Sequence, residues 1–178
     1  KLSIIHHEFK NTMINVKHNY SYNSKELLRD HMYKKSLSII SKLSKLVKYV
    51  DTVENSNDLI AYIMTLMNYM SALEFIKFKC GIFRSVKLNN SFIENIPSDI
   101  PKKMKNLLVN WNSTGGYYTC IKEDTPDSIK NIIFGEDIKH DVLNLEAYVH
   151  ITSPIRRLVD LLNIITIQNK LNLFSVSQ

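Results

Sequence analysis

From Leu59 to Leu73 the chain runs fifteen residues without a charged side chain, and a segment of that composition has to be buried. It is shorter than the roughly 20 apolar residues that span a bilayer, so it predicts a core helix and no membrane partner. Leu59, Ile60, Ile63, Met64, Met67, Met70 and Leu73 make it apolar nearly all round, the pattern of a helix surrounded by protein. Met64, Met67 and Met70, with Met32 on an earlier segment, read either as core filling or as an adaptable groove. The partners of such a helix are expected to be helices too. Four glycines and four prolines in 178 residues are too few turn residues for a β-sandwich or barrel. The fold class that follows is α+β, predominantly helical, with a few short strands.

Composition closes other classes. Hydrophobic residues at 44% and charged residues at 22% lie in the globular range and exclude a mainly disordered chain. Cys80 and Cys120 are far apart with no Cys or His at ligand spacing, so neither a zinc site nor a disulfide framework is indicated. The N-terminus KLSIIHHEFK has no long apolar core with a cleavage site. An intracellular, non-secreted protein is expected. The formal charge of +6 is compatible with nucleic acid or an acidic partner, and equally with an Asn-, Lys- and Ile-rich composition that has no ligand behind it.

Along the chain, one unit of 1–178 is expected. Residues 1–22 alternate β-branched and polar side chains and predict an extended segment. The span 23–110 reads as helical: Ser24 as N-cap, apolar residues at three- to five-residue steps to about Tyr49, new caps at Asn55 to Asn57, a polar loop over 87–98, and a basic helix over 102–110 opened by Pro101. Lys42, Lys45 and Lys48 share one face, which reads as a solvated surface or as a phosphate-tracking stripe. In 111–178, Gly115-Gly116 is a turn signal before a short strand at 117–121. Thr125-Pro126-Asp127 predicts a helix with proline at its first position.

Chemistry concentrates in Glu146 to Asp160, EAYVHITSPIRRLVD. Thr152 or Ser153 can cap a helix with Pro154 at its first position, and Ile155, Leu158, Val159, Leu162 and Ile165 follow at helical spacing. Arg156 and Arg157 would then sit in the first turn, where the macrodipole disfavours cations by roughly 0.3–1 kcal/mol each. Capping hydroxyls and open N–H groups beside two arginines suit a bound phosphate. The other reading is local: Asp160 neutralises one or both arginines across a helical turn. Tyr148 could stack on a base and His150 donate to a phosphate, or each could be a satisfied core residue. A helical DNA-binding module would need basic and amide side chains along a recognition helix, and the segment after Arg157 is apolar on most faces.

His140-x-x-Leu143-x-Leu145-Glu146-Ala147-Tyr148-x-x-x-Thr152-Ser153-Pro154-Ile155-Arg156-Arg157-x-x-Asp160 resembles the signature of the RNase II/RNase R (RNB) family of exoribonucleases. Tyr20-Ser21-Tyr22 is similar to the family's L-[ST]-Y segment, Met64 to Asn68 with Ala72 to its M-x-x-A-N helix, and Gly81 to Arg84 to its R-x-H segment. The resemblance implies magnesium-assisted hydrolysis of single-stranded RNA from the 3' end. Carried over, Arg156 is the catalytic arginine at the scissile phosphate. Tyr22, Tyr148, His150, Thr152, Ser153 and Arg157 would contact RNA, and Asp160 and His140 would support the site.

Departures accompany the match. The family's glutamates fall at Ala61 and Tyr62, its glycine at Val142, its tyrosine at Leu158 and a histidine at Ile164. No D-x-D or D-D pair occurs, so the resemblance places the magnesium ligands upstream of residue 1, and none in this chain. The expectation is therefore the C-terminal part of an RNB catalytic domain, inactive by itself. Its partners would be single-stranded RNA, the remainder of that domain and flanking OB-fold domains. The alternative is a degenerate RNB-like protein that binds RNA or a protein partner without catalysis. A start without methionine fits a piece of a longer protein.

Overall fold

The computed structural model describes residues 8, 10, 12–45, 47, 49, 52–88, 97, 99–111, 115–122 and 124–173. It is predominantly helical with one two-stranded antiparallel sheet, the α+β class expected. The chain divides into two compact units, Lys1–Met67 with Leu171–Gln178, and Asn68–Lys170.

In the first unit, Ser24 caps α1 (Lys25–Arg29) by accepting from Leu27 N at 3.2 Å. Asp30 then ends that helix and caps α2 (His31–Ser44), its carboxylate accepting from Tyr33 N at 2.7 Å. One capping side chain is worth about 1 kcal/mol, and here two successive caps turn a continuous apolar period into a helix pair. Tyr33, Val53, Leu59 and Tyr62 form the core of this unit, with Leu27, Leu37, Ile40 and Leu43 packed around it. The buried Tyr62 hydroxyl is satisfied by donating to Val47 O at 2.9 Å. The described residues before Ser24 form no strand and are exposed, Met13 and Ile14 among them. Alternation without a neighbouring strand edge to pair with cannot build a ladder.

Helix α3 (Ser56–Phe78) starts where Asn55 Oδ1 accepts from Asn57 N and Asp58 N. It runs 23 residues and is long and apolar enough to cross a membrane by length and composition, whereas the uncharged run alone predicted a shorter element. The difference lies at its ends: Asp58 in the first turn and Lys77 in the last complement the helix dipole, so charged residues extend it. Its polar side chains Thr65, Asn68, Ser71 and Glu74 are buried in protein.

In the second unit, β1 (Gly81–Ser85) pairs antiparallel with β2 (Tyr117–Ile121), Gly81 opposite Ile121 and Ser85 opposite Tyr117. Strand β1 falls inside the span expected to be helical. Its alternating burial, with Gly81, Phe83 and Ser85 inward, is a period-two pattern too short to stand out in sequence. Phe83 packs edge-on against Phe75 and Phe134 at 6.4 and 6.0 Å between ring centroids. Gly81 is required there: its φ of +116° suits only glycine, and a Cβ would lie 2.8 Å from the Phe75 ring.

Helix α4 (Lys102–Trp111) and strand β2 occur where expected. The loop expected over 87–98 lies outside the described residues except at 87, 88 and 97. Helix α5 (Asp127–Ile132) begins one residue late, with Pro126 as N-cap and no side-chain cap, because the Thr125 hydroxyl accepts instead from Lys122 N in the preceding turn. A π-helical turn (Ile133–Asp137) follows. The last helix, α6, spans Leu158–Lys170 and does not start at Pro154. The Ser153 carbonyl takes both Arg156 N and Arg157 N, closing a turn that holds Pro154 to Arg156 outside the helix.

Candidate nucleic-acid interface

The signature segment lies along the edge of β1 that β2 leaves open. Val86 bridges His140 and Phe83 bridges Val149. Val86 N donates to Lys139 O, Asp141 N to Val86 O, and Arg84 N to Tyr148 O at 2.7 Å. Between these contacts, His140 and Leu145 exchange backbone hydrogen bonds, and Asn144, at φ 52°, makes the return. His140 Nδ1 accepts from Leu143 N at 3.3 Å, so this ring caps its own loop.

Two buried amides fix the rest. Asn68 of α3 accepts from Ile151 N at 3.1 Å and donates to the Tyr148 hydroxyl at 2.8 Å. Asn163 of α6 donates to both Ile82 O and His150 O and accepts from Ile82 N, at 2.9 to 3.0 Å. Each amide is almost fully buried and spends its donors and acceptor on backbone or phenol groups. Strand, signature and two helices are thereby held in one register.

This scaffold aligns a row of rings. His140 meets Tyr148 edge-on at 5.0 Å, Tyr148 meets His150 at 5.7 Å, and His150 meets Tyr118 at 5.8 Å. The Tyr118 hydroxyl lies 2.8 Å from His150 Nδ1, and the Arg84 guanidinium covers the Tyr118 ring at 5.0 Å. Burial, followed by the charges of Arg157 and Arg84, pushes His150 down to about 4 against the opposing pull of Asp160. Burial lowers His140 as well, with Arg84 adding to the effect. His150 is therefore neutral at neutral pH, and a neutral imidazole offers one acceptor and one donor. The row can stack and hydrogen-bond; its positive charge comes from arginine.

At the SPIRR turn the two arginines part. Arg157 folds onto fully buried Asp160, with Nη2 donating to Oδ1 at 2.8 Å and Nε 2.7 Å from Oδ2. The same carboxylate accepts from Ser153 N at 2.7 Å and occupies the third position of α6, where the dipole favours an anion. Local neutralisation thus describes Arg157. Arg156 is exposed and, among the described residues, has no carboxylate within 4 Å. The Thr152 hydroxyl is buried with no hydrogen-bond partner among them, and neither it nor Ser153 stands at the start of α6.

His140, Tyr148, His150, Thr152, Ser153, Arg156, Arg157 and Asp160 all belong to the Asn68–Lys170 unit. Tyr22 belongs to the other and is 61% exposed. Sequence reasoning gave four residues here no role, naming Asn68 and Arg84 only within matched family segments and leaving out Asn163 and Tyr118 as site residues. Asn68 and Asn163 were detectable as amides inside apolar helical runs, where a buried polar group demands partners. Arg84 and Tyr118 meet only through the register of β1 and β2, which has no local signal.

No group of three or more His, Cys, Asp or Glu side chains among the described residues could hold a metal ion. Asp160 is committed to Arg157 and Ser153 N, Asp141 accepts from Leu88 N, and Asp137 pairs with Lys87. These residues do not fit a magnesium centre. A family model described as RNB domain matches residues 51–172, covering the α3 helix, both strands and the signature but not Tyr22. No curated protein and no solved structure matches the chain.

Proposed function

The chain belongs to the RNB domain family, a family of ribonucleases, and from that premise we propose that it is the RNA-contacting part of a 3'-to-5' exoribonuclease releasing nucleoside monophosphates from single-stranded RNA. The observation that carries this reading is the division of labour at the SPIRR turn: Asp160 neutralises Arg157 and braces the turn, while Arg156 is exposed with no carboxylate within 4 Å among the described residues. A guanidinium so placed suits the charge that develops on a phosphodiester under attack. Tyr148 and His150 stand beside it in sequence, in the row of rings on which bases could stack. Magnesium, on this reading, is held by carboxylates outside these 178 residues.

The test is degradation of a 3'-ended single-stranded RNA by the complete polypeptide with magnesium. Stepwise shortening that Arg156→Ala slows by two orders of magnitude or more supports the proposal. No shortening, or an Arg156→Ala variant as fast as the parent, overturns it. A second reading, a member of the family that binds RNA without hydrolysing it, draws on Leu158, Ile164 and the missing glutamates. It predicts RNA binding with no shortening under any metal.

A further inference from the structure

We propose that Arg84 is a second phosphodiester-binding cation of this interface, held ready for RNA by Gly116 and Tyr118. The inference rests on the single-stranded RNA reading and adds a residue to it. Arg84 stands fourth in β1, half-buried, on the face opposite the core ring of Phe83. Arg157, the unit's other half-buried arginine, is neutralised by Asp160. Arg84 has no carboxylate within 4 Å among the described residues, and its guanidinium lies 5.0 Å from the centre of the Tyr118 ring. A cation partly removed from water without a counter-ion is an anion site in waiting, since pairing recovers what desolvation costs.

The guanidinium also lies close against Gly116. A Cβ on Gly116 would lie 2.3 Å from Arg84 Cζ and 2.3 Å from Nη2, so the planar group rests directly on the backbone of residue 116 with the Tyr118 ring as its other contact. Any larger residue at 116 would push it off. Arg84 charge is felt at both His140 and His150, which places it at the same row of rings. With His150 neutral, Arg84 is the row's source of attraction for an anion. A planar fork suits two oxygens of one phosphate, and Tyr118, 46% exposed, leaves surface on which a neighbouring base can stack. Phosphate and base together specify single-stranded nucleic acid.

The experiment measures binding of a fluorescein-labelled single-stranded RNA to the complete polypeptide across a salt series, without hydrolysis, in chelator. Arg84→Gln is expected to weaken binding about tenfold and to flatten the slope of log affinity against log salt by about 0.7, the loss of one phosphate contact. Arg84→Lys, which keeps the charge and loses the fork, should keep the slope and lose part of the affinity. Gly116→Ala removes no charge and no side chain, so weaker binding by this variant reports displacement of the guanidinium and supports the proposal even if Arg84→Gln fails to fold. An unchanged slope in folded Arg84→Gln, or full affinity in Gly116→Ala, overturns the proposal while leaving the RNA reading intact. Failure of the parent protein to bind RNA removes both.

Discussion

Removing the Asn163 amide should release the signature segment from the sheet. Asn163→Ala deletes three hydrogen bonds at once, to Ile82 N, Ile82 O and His150 O, each worth about 1 kcal/mol net. It also leaves a void at a fully buried position, and a buried group stranded without a partner costs a further 1–3 kcal/mol or so. Together these give a loss of about 4–6 kcal/mol, a large part of the roughly 5–15 kcal/mol that holds a domain together. Asn163→Asp keeps the acceptor for Ile82 N and turns two donors into an oxygen facing two carbonyls, so it should be at least as damaging. Urea denaturation followed by circular dichroism measures the loss, and native-state hydrogen exchange at the Ile82 amide localises it. A variant within about 1 kcal/mol of the parent, with Ile82 exchange unchanged, would refute the idea that this amide fixes the site.

Three further outcomes follow from the same contacts. Asp160→Ala strands the half-buried Arg157 and frees Ser153 N, so it should destabilise by about 3–5 kcal/mol, read by thermal or urea unfolding. Because His150 is held at about 4 against an ordinary 6.5, the unfolded chain binds the extra proton between those values, and stability should fall as pH drops from 6.5 towards 4 and level off below. Solvent screening of the half-exposed ring limits this to about 1–2 kcal/mol, and His150→Phe should abolish that part of the pH dependence in urea titrations. Gly81→Ala forces a side chain into a left-handed backbone and against the Phe75 ring, and should cost about 2 kcal/mol or more in the same assay.

Much of this was legible from residues alone. The Ser24 cap, the apolar centre of α3, the basic helix expected over 102–110 and the strand after Gly115-Gly116 all rest on local chemistry, and local chemistry decides them. The start of the final helix was misjudged because Pro154 is an equally good residue for a turn: Asp160, seven residues beyond Ser153, holds the Ser153 amide and draws Arg157 inward. That contact joins residues seven apart through a carboxylate buried by the tertiary fold. Thr125 illustrates the same competition, since its hydroxyl serves the turn before it and not the helix after it. The two arginines were legible as a pair and not as opposites. Arg84 stood in a matched family segment but its place in the site was not legible, because its meeting with Tyr118 and Gly116 depends on strand register and on a glycine whose value lies in the atom it lacks.

The most direct test of the central claim is the salt dependence of single-stranded RNA binding by the complete polypeptide, compared with its Arg156→Ala variant. An interface that reads phosphates with unpaired arginines predicts a straight, steeply falling line of log affinity against log salt, with the variant's slope shallower by about 0.7. Binding that ignores salt, or a variant line that superimposes on the parent's, would contradict it.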